Sequence, residues 1–481
     1  MRFAPVIGVV GLILIVLAVL MAAPAAVGFH YGETDAAWRF LLSAAVTLGV
    51  GVVLRLVGEV GSLTVRDAFG VVAFGWLAAA IFGAIPYVAS GAIPSVTDAV
   101  FETVSGFTTT GETVLVKVEP YPRSVLLWRS MTQWCGGLGI IMMVTVLLPF
   151  MEGSGLQILK AEAGLISQKL RPRMRDTGMV LAAIYAGVTL AEFAALYSPL
   201  GAFDAACTSM TTLSTGGFST RTSSIQDYGS LYVEGVVIVF MLLGGTSFMV
   251  HFRFLRGEWG AHMRSEEWRA QMAVVALSTL IIGASLWVAG DGTGLHQARL
   301  AGFNAVSAAT GTGFTSDDIY AWPGVARFTL LLLAFVGGSV GSTAGALKVR
   351  RLLILVKLIA REVRLVLYPN RVIVVRIDGE TVDDKVLRKL VGFVALYLLF
   401  FIVSSGLLMA MGADYEVALS ASASSLGNVG FGLGYADLSW ASPFQKMVMA
   451  ADMIVGRLEI FCILVLFSPT LWRRPETRVA A

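Results

Sequence analysis

TTTG, Thr108 to Gly111, closes a short apolar segment with a glycine turn, and three turns of similar build follow it: LSTG (Leu213 to Gly216), TGTG (Thr310 to Gly313) and GNVG (Gly427 to Gly430). Counted from the last glycine of each turn, the next marker glycine lies 26, 29, 25 and 26 residues on, at Gly137, Gly245, Gly338 and Gly456. A helix-sized segment precedes each turn, roughly 96–109, 202–213, 298–310 and 415–427, and a glycine-broken apolar segment follows it. Four copies of one pattern at so even a spacing predict one pore built from four linked repeats, whose turns surround one ion.

Outward from the turns, the 481-residue chain is 56% hydrophobic and 14% charged, with a mean hydropathy of +0.78. A soluble domain of this size needs a more charged surface, so the composition is that of a multispanning membrane protein. The apolar run from Phe3 to Val27 is too long for the core of a signal peptide and a further span follows it, so it reads as a retained helix. Crossing the hydrocarbon takes about 20 apolar residues. Such spans fall near 3–28, 37–57, 66–90, 122–149, 177–197, 230–252, 271–290, 324–360, 389–412 and 442–469. The segments ending at the turns have only some 10 to 14 residues, which suits re-entrant half-helices. The fold class expected is an all-α membrane protein: four span–pore-helix–span repeats around one central pore, preceded by two extra transmembrane helices. The divisions are 1–60 (two N-terminal helices), 61–150 (repeat 1), 151–256 (linker and repeat 2), 257–360 (repeat 3 with a broken second helix) and 361–481 (basic loop, repeat 4 and tail).

A cytoplasmic N-terminus puts 26 of the 35 Lys and Arg residues on the inner side, which the positive-inside rule favours. Both termini then face the cytoplasm, and all four turns enter from outside. Glu112, Glu119, Asp227, Asp291, Asp317, Asp318 and Asp437 fall on that outer side, where they would concentrate cations at a mouth. The alternative is that these acids simply solvate loops.

Aligned on their last glycines, the turns place Thr109, Ser214, Gly311 and Asn428 at one level, then Thr110, Thr215, Thr312 and Val429, then Gly111, Gly216, Gly313 and Gly430. Glycine permits positive φ and close backbone approach, so a glycine at one level in all four copies predicts a ring of exposed carbonyls. Non-helical backbone at membrane depth survives where it lines a water-filled path or is buried in protein. Carbonyl rings suit a weakly hydrated monovalent cation, with potassium (K+) the leading candidate, and half-helices aim their negative ends at it. The hydroxyls of Thr109, Thr110, Ser214, Thr215 and Thr312 either add ligands or brace the turns.

The third repeat is interrupted by Gly337, Gly338, Ser339, Val340, Gly341, Ser342, Thr343, Ala344 and Gly345. Its four glycines cost a helix about 1 kcal/mol each, which predicts a flexible plug, with Lys348 adding charge nearby. Arg457 follows the marker glycine of the fourth repeat, where the siblings carry Leu138, Thr246 and Ser339. An arginine at that depth either faces the water path as a barrier to cations or pairs with Asp452 or Glu459.

With SGFTTTG at Ser105, WCGGLGI at Trp134, MEGSG at Met151, STGGFST at Ser214, GGSVGSTAGALKVRR at Gly337, GNVGFG at Gly427 and VGRLEIF at Val455, the chain resembles the membrane subunit of the Trk-type potassium uptake systems, in the superfamily that also holds Ktr and HKT transporters. The likeness runs over nearly the whole chain. It implies potassium rather than sodium, because part of the HKT branch has serine where this chain has Gly111. It further implies a homodimer in the cell inner membrane, each subunit with its own pore. The glycine-rich run becomes an intramembrane gate below the filter, worked by a cytoplasmic nucleotide-binding ring of the TrkA kind. The inner basic loops, especially 361–389, are either its docking surface or a contact for anionic lipid. No phosphate-binding sequence stands in a soluble segment, so nucleotide binding belongs to the partner.

Cys135, Cys207 and Cys462 lie far apart in apolar surroundings and the four histidines are scattered, so neither disulfides nor a transition-metal site is expected. Clustered acid, base or nucleophile groups are absent from the sequence, which argues against an enzyme, and nothing points to nucleic acid. The rival reading is a symporter with alternating access, coupled to sodium or protons; such folds usually carry two inverted repeats rather than four copies in one orientation.

Overall fold

The computed structural model describes residues 1–59, 63–147, 174–290, 294–435 and 437–472. Met151 and its MEGSG motif, the basic residues at 160–173 and 473–478, and Asp291 lie outside the described residues. The chain is helical almost throughout. Helices α1 (Phe3–Leu20), α2 (Ala22–His30) and α3 (Thr34–Val57) come before the first repeat, which comprises α4 (Val65–Ala89), α5 (Val96–Phe107) and α6 (Arg123–Leu147). The second repeat holds α7 (Met174–Leu213), α8 (Leu231–Gly244) and α9 (Phe248–Leu255). After the short α10 (Ala261–Arg264), the third runs through α11 (Glu266–Ala289), α12 (Gly294–Thr310), α13 (Gly324–Leu333) and α14 (Val349–Leu367). A two-stranded hairpin, β1 (Arg376–Ile377) with β2 (Glu380–Thr381), leads to the fourth: α15 (Asp384–Ala410), α16 (Tyr415–Gly427), α17 (Pro443–Leu458) and α18 (Ile460–Leu466). A final turn, α19 (Pro469–Trp472), closes the described chain.

The described part of each of the ten expected spans contains helix, with breaks after the last three turns, and among the described residues six helical stretches, α1 with α2 counted as one, are long and apolar enough to cross a membrane, or up to seven if α8 and α9, bent by 98°, count as one. Of the segments after the turns, the third gives way between Leu333 and Val349, and in the fourth α17 stops before Glu459. The expected half-helix at 202–213 is set off from the span before it, within α7, by Gly201, whose φ of 77° and ψ of 170° are not helical.

Local signals start the helices. Ser95, Ser230, Ser265 and Ser442 each accept a backbone N–H from the first turn, and Ser442 with Gln445 makes a reciprocal capping box. The two leading helices cross at glycines: a Cβ on Gly58 would lie 2.2 Å from the Gly8 nitrogen, and one on Gly11 would lie 2.7 Å from the Gly51 carbonyl. Small residues let membrane helices approach this closely.

Ion pairs join successive repeats. Glu234 of α8 takes Arg299 of α12 at 2.6 Å, Arg327 of α13 takes Glu416 of α16, and Lys446 of α17 takes Asp98 of α5 at 2.8 Å. In each, the helix after one turn grips the half-helix of the next repeat, and the last grip returns to the first. The junction from repeat 1 to repeat 2 is built differently. Arg129 of α6, paired with Glu102 at 2.7 Å, donates to the Ser219 carbonyl at 3.0 Å. The four repeats therefore close into a ring.

Candidate functional site

At the end of each half-helix one residue turns left-handed: Thr109 (φ 55°), Thr215 (φ 53°), Gly311 (φ 69°) and Asn428 (φ 53°). The next N–H reaches back five residues, Thr110 to Ser105, Gly216 to Thr211, Thr312 to Ser307 and Val429 to Ser424, each at 2.9 Å. This is the Schellman ending of a helix, met here with a non-glycine residue at three of four positions. A left-handed L-residue costs about 1–2 kcal/mol, held in place by the surrounding packing.

Beyond that residue the chains meet. A Cβ on Gly111 would lie 2.0 Å from the Gly216 oxygen, one on Gly217 2.0 Å from the Thr312 oxygen, one on Gly313 2.0 Å from the Val429 oxygen, and one on Gly430 1.9 Å from the Thr110 oxygen. Each glycine seats the carbonyl of the next repeat, and the fourth seats that of the first. All four have positive φ, between 74° and 92°. A side chain at any of these positions would displace the facing carbonyl.

This geometry corrects the register read from the sequence in the second turn by one residue. Gly217, not Gly216, is level with Gly111, Gly313 and Gly430; Gly216 sits with Thr110, Thr312 and Val429; Thr215, not Ser214, sits with Thr109, Gly311 and Asn428. The signal was present in the spacing of 29 residues against 25 and 26 elsewhere, beside a doubled glycine. In the first repeat the close helix contact likewise falls one residue early, Gly136 rather than Gly137 approaching the Phe107 carbonyl.

The hydroxyls divide. Thr110 and Thr312 meet Thr108 and Thr310 at 2.8 Å, and Thr215 donates to the Ser214 carbonyl at 2.7 Å, so these brace the turns. Thr109 Oγ1 is buried without a protein partner among the described residues. Two side chains hold the ring: Gln133, which sequence reasoning missed, and Asn428, which it placed in the filter without this bracing role. Gln133 donates to the Gly216 carbonyl at 2.6 Å and accepts the Phe218 N–H at 3.0 Å. The Asn428 side chain donates to Thr110 Oγ1 at 3.0 Å and to the Met453 carbonyl at 2.9 Å.

Gly111, Gly217, Gly313 and Gly430 line one cavity of about 160 Å³, together with Glu112 and Asp437. That volume holds roughly five waters at about 30 Å³ each. The Ser439 hydroxyl and N–H keep the Asp437 carboxyl below its ordinary range, so it is ionised at neutral pH. The other described acids expected at a mouth serve loops instead. Glu119 binds Thr222, Asp227 accepts the Ser223 N–H, Asp317 accepts Trp322 Nε1 and Asp318 caps Tyr320.

On the opposite side of the ring lies the glycine-rich run, all of it packed. Ser339 N–H donates to the Gly245 carbonyl at 2.8 Å, Val340 N–H to Glu267 at 2.7 Å, and the Gly341 carbonyl accepts the Phe248 N–H at 3.0 Å. Ser342 turns back on the Ser339 carbonyl. Thr343 Oγ1 lies 2.9 Å from the Leu213 carbonyl and 3.0 Å from that of Gly244. Gly345 packs on Gly427 and Asn428, where a Cβ would be 2.6 Å from the Gly427 oxygen. Gly337 and Gly341 take positive φ, as do Ala346 and Lys348, so the run reverses several times within one helix length; a Cβ on Gly338 would lie 2.5 Å from the Gly245 oxygen.

Arg457, 3% exposed, donates from Nη1 to the Thr343 carbonyl at 2.6 Å and from Nη2 to the Gly136 carbonyl at 3.4 Å. Neither acid expected beside it is its partner. Asp452 takes the Ser404 hydroxyl, while Glu459 takes Arg351 at 2.8 Å and Lys348 at 3.5 Å. Lys348 is thus neutralised at a helix break rather than projecting charge at the ring. Through these contacts the run touches repeats 2, 3 and 4 directly and repeat 1 by way of Arg457.

A family model described as the cation transport protein TrkH matches residues 39–276 and 294–474. The Trk system potassium uptake protein TrkH of Salmonella typhimurium is 36% identical over 486 residues, covering 98% of this chain and 100% of its own. The Trk system potassium uptake protein TrkG of Escherichia coli is 32% identical over 423 residues, 85% of this chain and 86% of its own. The crystal structure of the potassium transporter TrkH from Vibrio parahaemolyticus superposes with a TM-score of 0.90 at 32% identity, covering 98% of this chain and all of that one.

Proposed function

The chain belongs to the TrkH family of cation transport proteins, and from that premise we propose that it takes up potassium through a channel-like pore, with the ring of four turns as its filter. The observation that carries this reading is the closed sequence of contacts in which each of Gly111, Gly217, Gly313 and Gly430 seats its neighbour's carbonyl. Such a ring presents backbone oxygens at fixed spacing to a cation that has shed water, with no side chain to intrude. The filter comprises Thr109 to Gly111, Thr215 to Gly217, Gly311 to Gly313 and Asn428 to Gly430. Four half-helix C-termini add their partial negative charge.

The gate is the run from Gly337 to Gly345, held under the filter by Thr343 and Arg457. An arginine that donates to carbonyls of two repeats both blocks and latches the path, since its charge opposes a resting cation. Opening requires these hydrogen bonds to break together, and a cytoplasmic nucleotide-binding ring, docking on the basic loop and hairpin after α14, supplies the pull. We place the protein in the cell inner membrane as a homodimer with both termini cytoplasmic, and the four repeats as its working units.

Potassium-dependent growth of a strain without its own uptake systems, with and without a co-expressed regulatory ring, tests this. Growth at low potassium that is lost in Gly111→Ser supports it; growth rescue with unaltered potassium over sodium preference in Gly111→Ser refutes the filter.

A further inference from the structure

An apolar cavity of about 620 Å³ opens between α1, α4 and α6, away from the pore. We propose that it holds one acyl chain of a bilayer phospholipid, seated against the support of the first filter turn. Its lining is almost wholly apolar, with the Trp76 indole N–H and the Cys135 thiol as the only polar side-chain groups, so a water there would lack the two to four partners it needs and the space stays dry. Two of its walls, α1 and α4, belong to helices that meet the requirements of a membrane span. On its rim Leu12 and Val16 are about half exposed, at 50% and 52%, so the opening faces the surrounding lipid. Hydrocarbon is what a bilayer supplies at that depth.

Size and shape agree. The volume falls within the 300–1,000 Å³ typical of ligand pockets. Along α4 the lining runs from Ala68 to Ala79, roughly 16 Å at 1.5 Å per residue, the form of a chain rather than a compact solute. The inner end touches Phe107, the last residue of α5, and Gly136. Gly136 packs on the Phe107 carbonyl and its own carbonyl accepts Arg457, so the occupant lies one residue layer from the ring and from its latch.

Trp76 lines the cavity and serves as reporter. The full chain is reconstituted in vesicles of dioleoyl phosphatidylcholine and of its 9,10-dibromostearoyl counterpart, and the emission lost in Trp76→Phe isolates this residue's signal. The expected result is an at least twofold fall of Trp76 emission in brominated vesicles that is largely reversed by Gly139→Leu. A Cβ at Gly139 meets only the Trp76 ring, at 3.7 Å, so the leucine occupies the cavity itself. Val72→Phe, which narrows the same space from α4, replaces it if that variant does not fold. Equal Trp76 emission in the two lipids, or quenching that either folded filler leaves unchanged, overturns the proposal and assigns the space to the chain itself, a second copy or ordinary surface lipid contact.

Discussion

Arg457 Nη1 stands 2.6 Å from the Thr343 carbonyl, joining the helix break of the fourth repeat to the centre of the glycine-rich run of the third. A hydrogen bond from a charged donor contributes about 1.5–3 kcal/mol, and about 1.4 kcal/mol is a factor of ten in an equilibrium. Arg457→Ala is therefore expected to raise potassium flux about tenfold, measured as rubidium uptake per folded protein. Arg457→Lys keeps the charge but cannot fork to two carbonyls, and falls between. A folded Arg457→Ala protein with unchanged or lower flux would remove the latch.

Thr343 itself gives an independent test of the same element. Thr343→Val deletes the hydroxyl near the Leu213 and Gly244 carbonyls and leaves the volume nearly unchanged. Loss of about 1 kcal/mol of net hydrogen bonding predicts a several-fold rise in flux, and shortening Ser339 to Gly345 a larger one. Shortened variants that fold and stay closed would show that the run does not gate.

The register of the second turn is tested at Gly217. Its φ of 74° and the Thr312 oxygen in the place of a Cβ mean that Gly217→Ser disturbs the ring as Gly111→Ser does. Permeability ratios for potassium over sodium should fall in both by a similar factor. Wild-type ratios in Gly217→Ser would contradict the alignment.

Gln133 predicts a stability effect coupled to selectivity. Gln133→Leu leaves the buried Gly216 carbonyl and Phe218 N–H without their partner, a cost of about 1–3 kcal/mol. Thermal melting in detergent should move down, with reduced discrimination against sodium. A variant as stable and as selective as wild type would deny Gln133 a role in holding the turn.

Asp437 bears on pH. Its carboxyl is held below the ordinary range, so its charge and the stability it adds are present above the unfolded value near 3.9 and are lost only as pH falls through the lower folded one. Between pH 7 and pH 5 this charge at the mouth stays constant. Asp437→Asn should then raise the KM for potassium by the same factor, about twofold to fivefold, at both pH values and mainly at low ionic strength. A factor that shrinks toward pH 5 would show the carboxylate titrating there.

Much of the site was legible because glycine is the only residue that can stand where φ is positive and a neighbouring carbonyl replaces the Cβ. Gly111, Gly313 and Gly430 announced themselves in that way, as did the run from Gly337 to Gly345 by its inability to stay helical. Gly217 was misread because Gly216 beside it satisfies the same composition rule, and only the longer spacing between turn and marker, 29 residues against 25 and 26, gave warning. The partners of Arg457 were misread for a different reason. Sequence proximity favours Asp452 and Glu459, yet a helix break at Glu459 aims its carboxylate at Lys348 and Arg351 and leaves the arginine to backbone carbonyls.

By itself the sequence determined that this is a membrane protein of four like repeats, each a half-helix and glycine turn between apolar segments, because hydropathy and glycine spacing are properties of the chain taken locally. Tertiary structure alone decided which carbonyl each glycine seats, that Gln133 and Asn428 hold the ring, and that Arg457 grips Thr343. Those contacts join residues from 25 to more than 300 positions apart, and no local pattern encodes which backbone oxygen a folded neighbour will present.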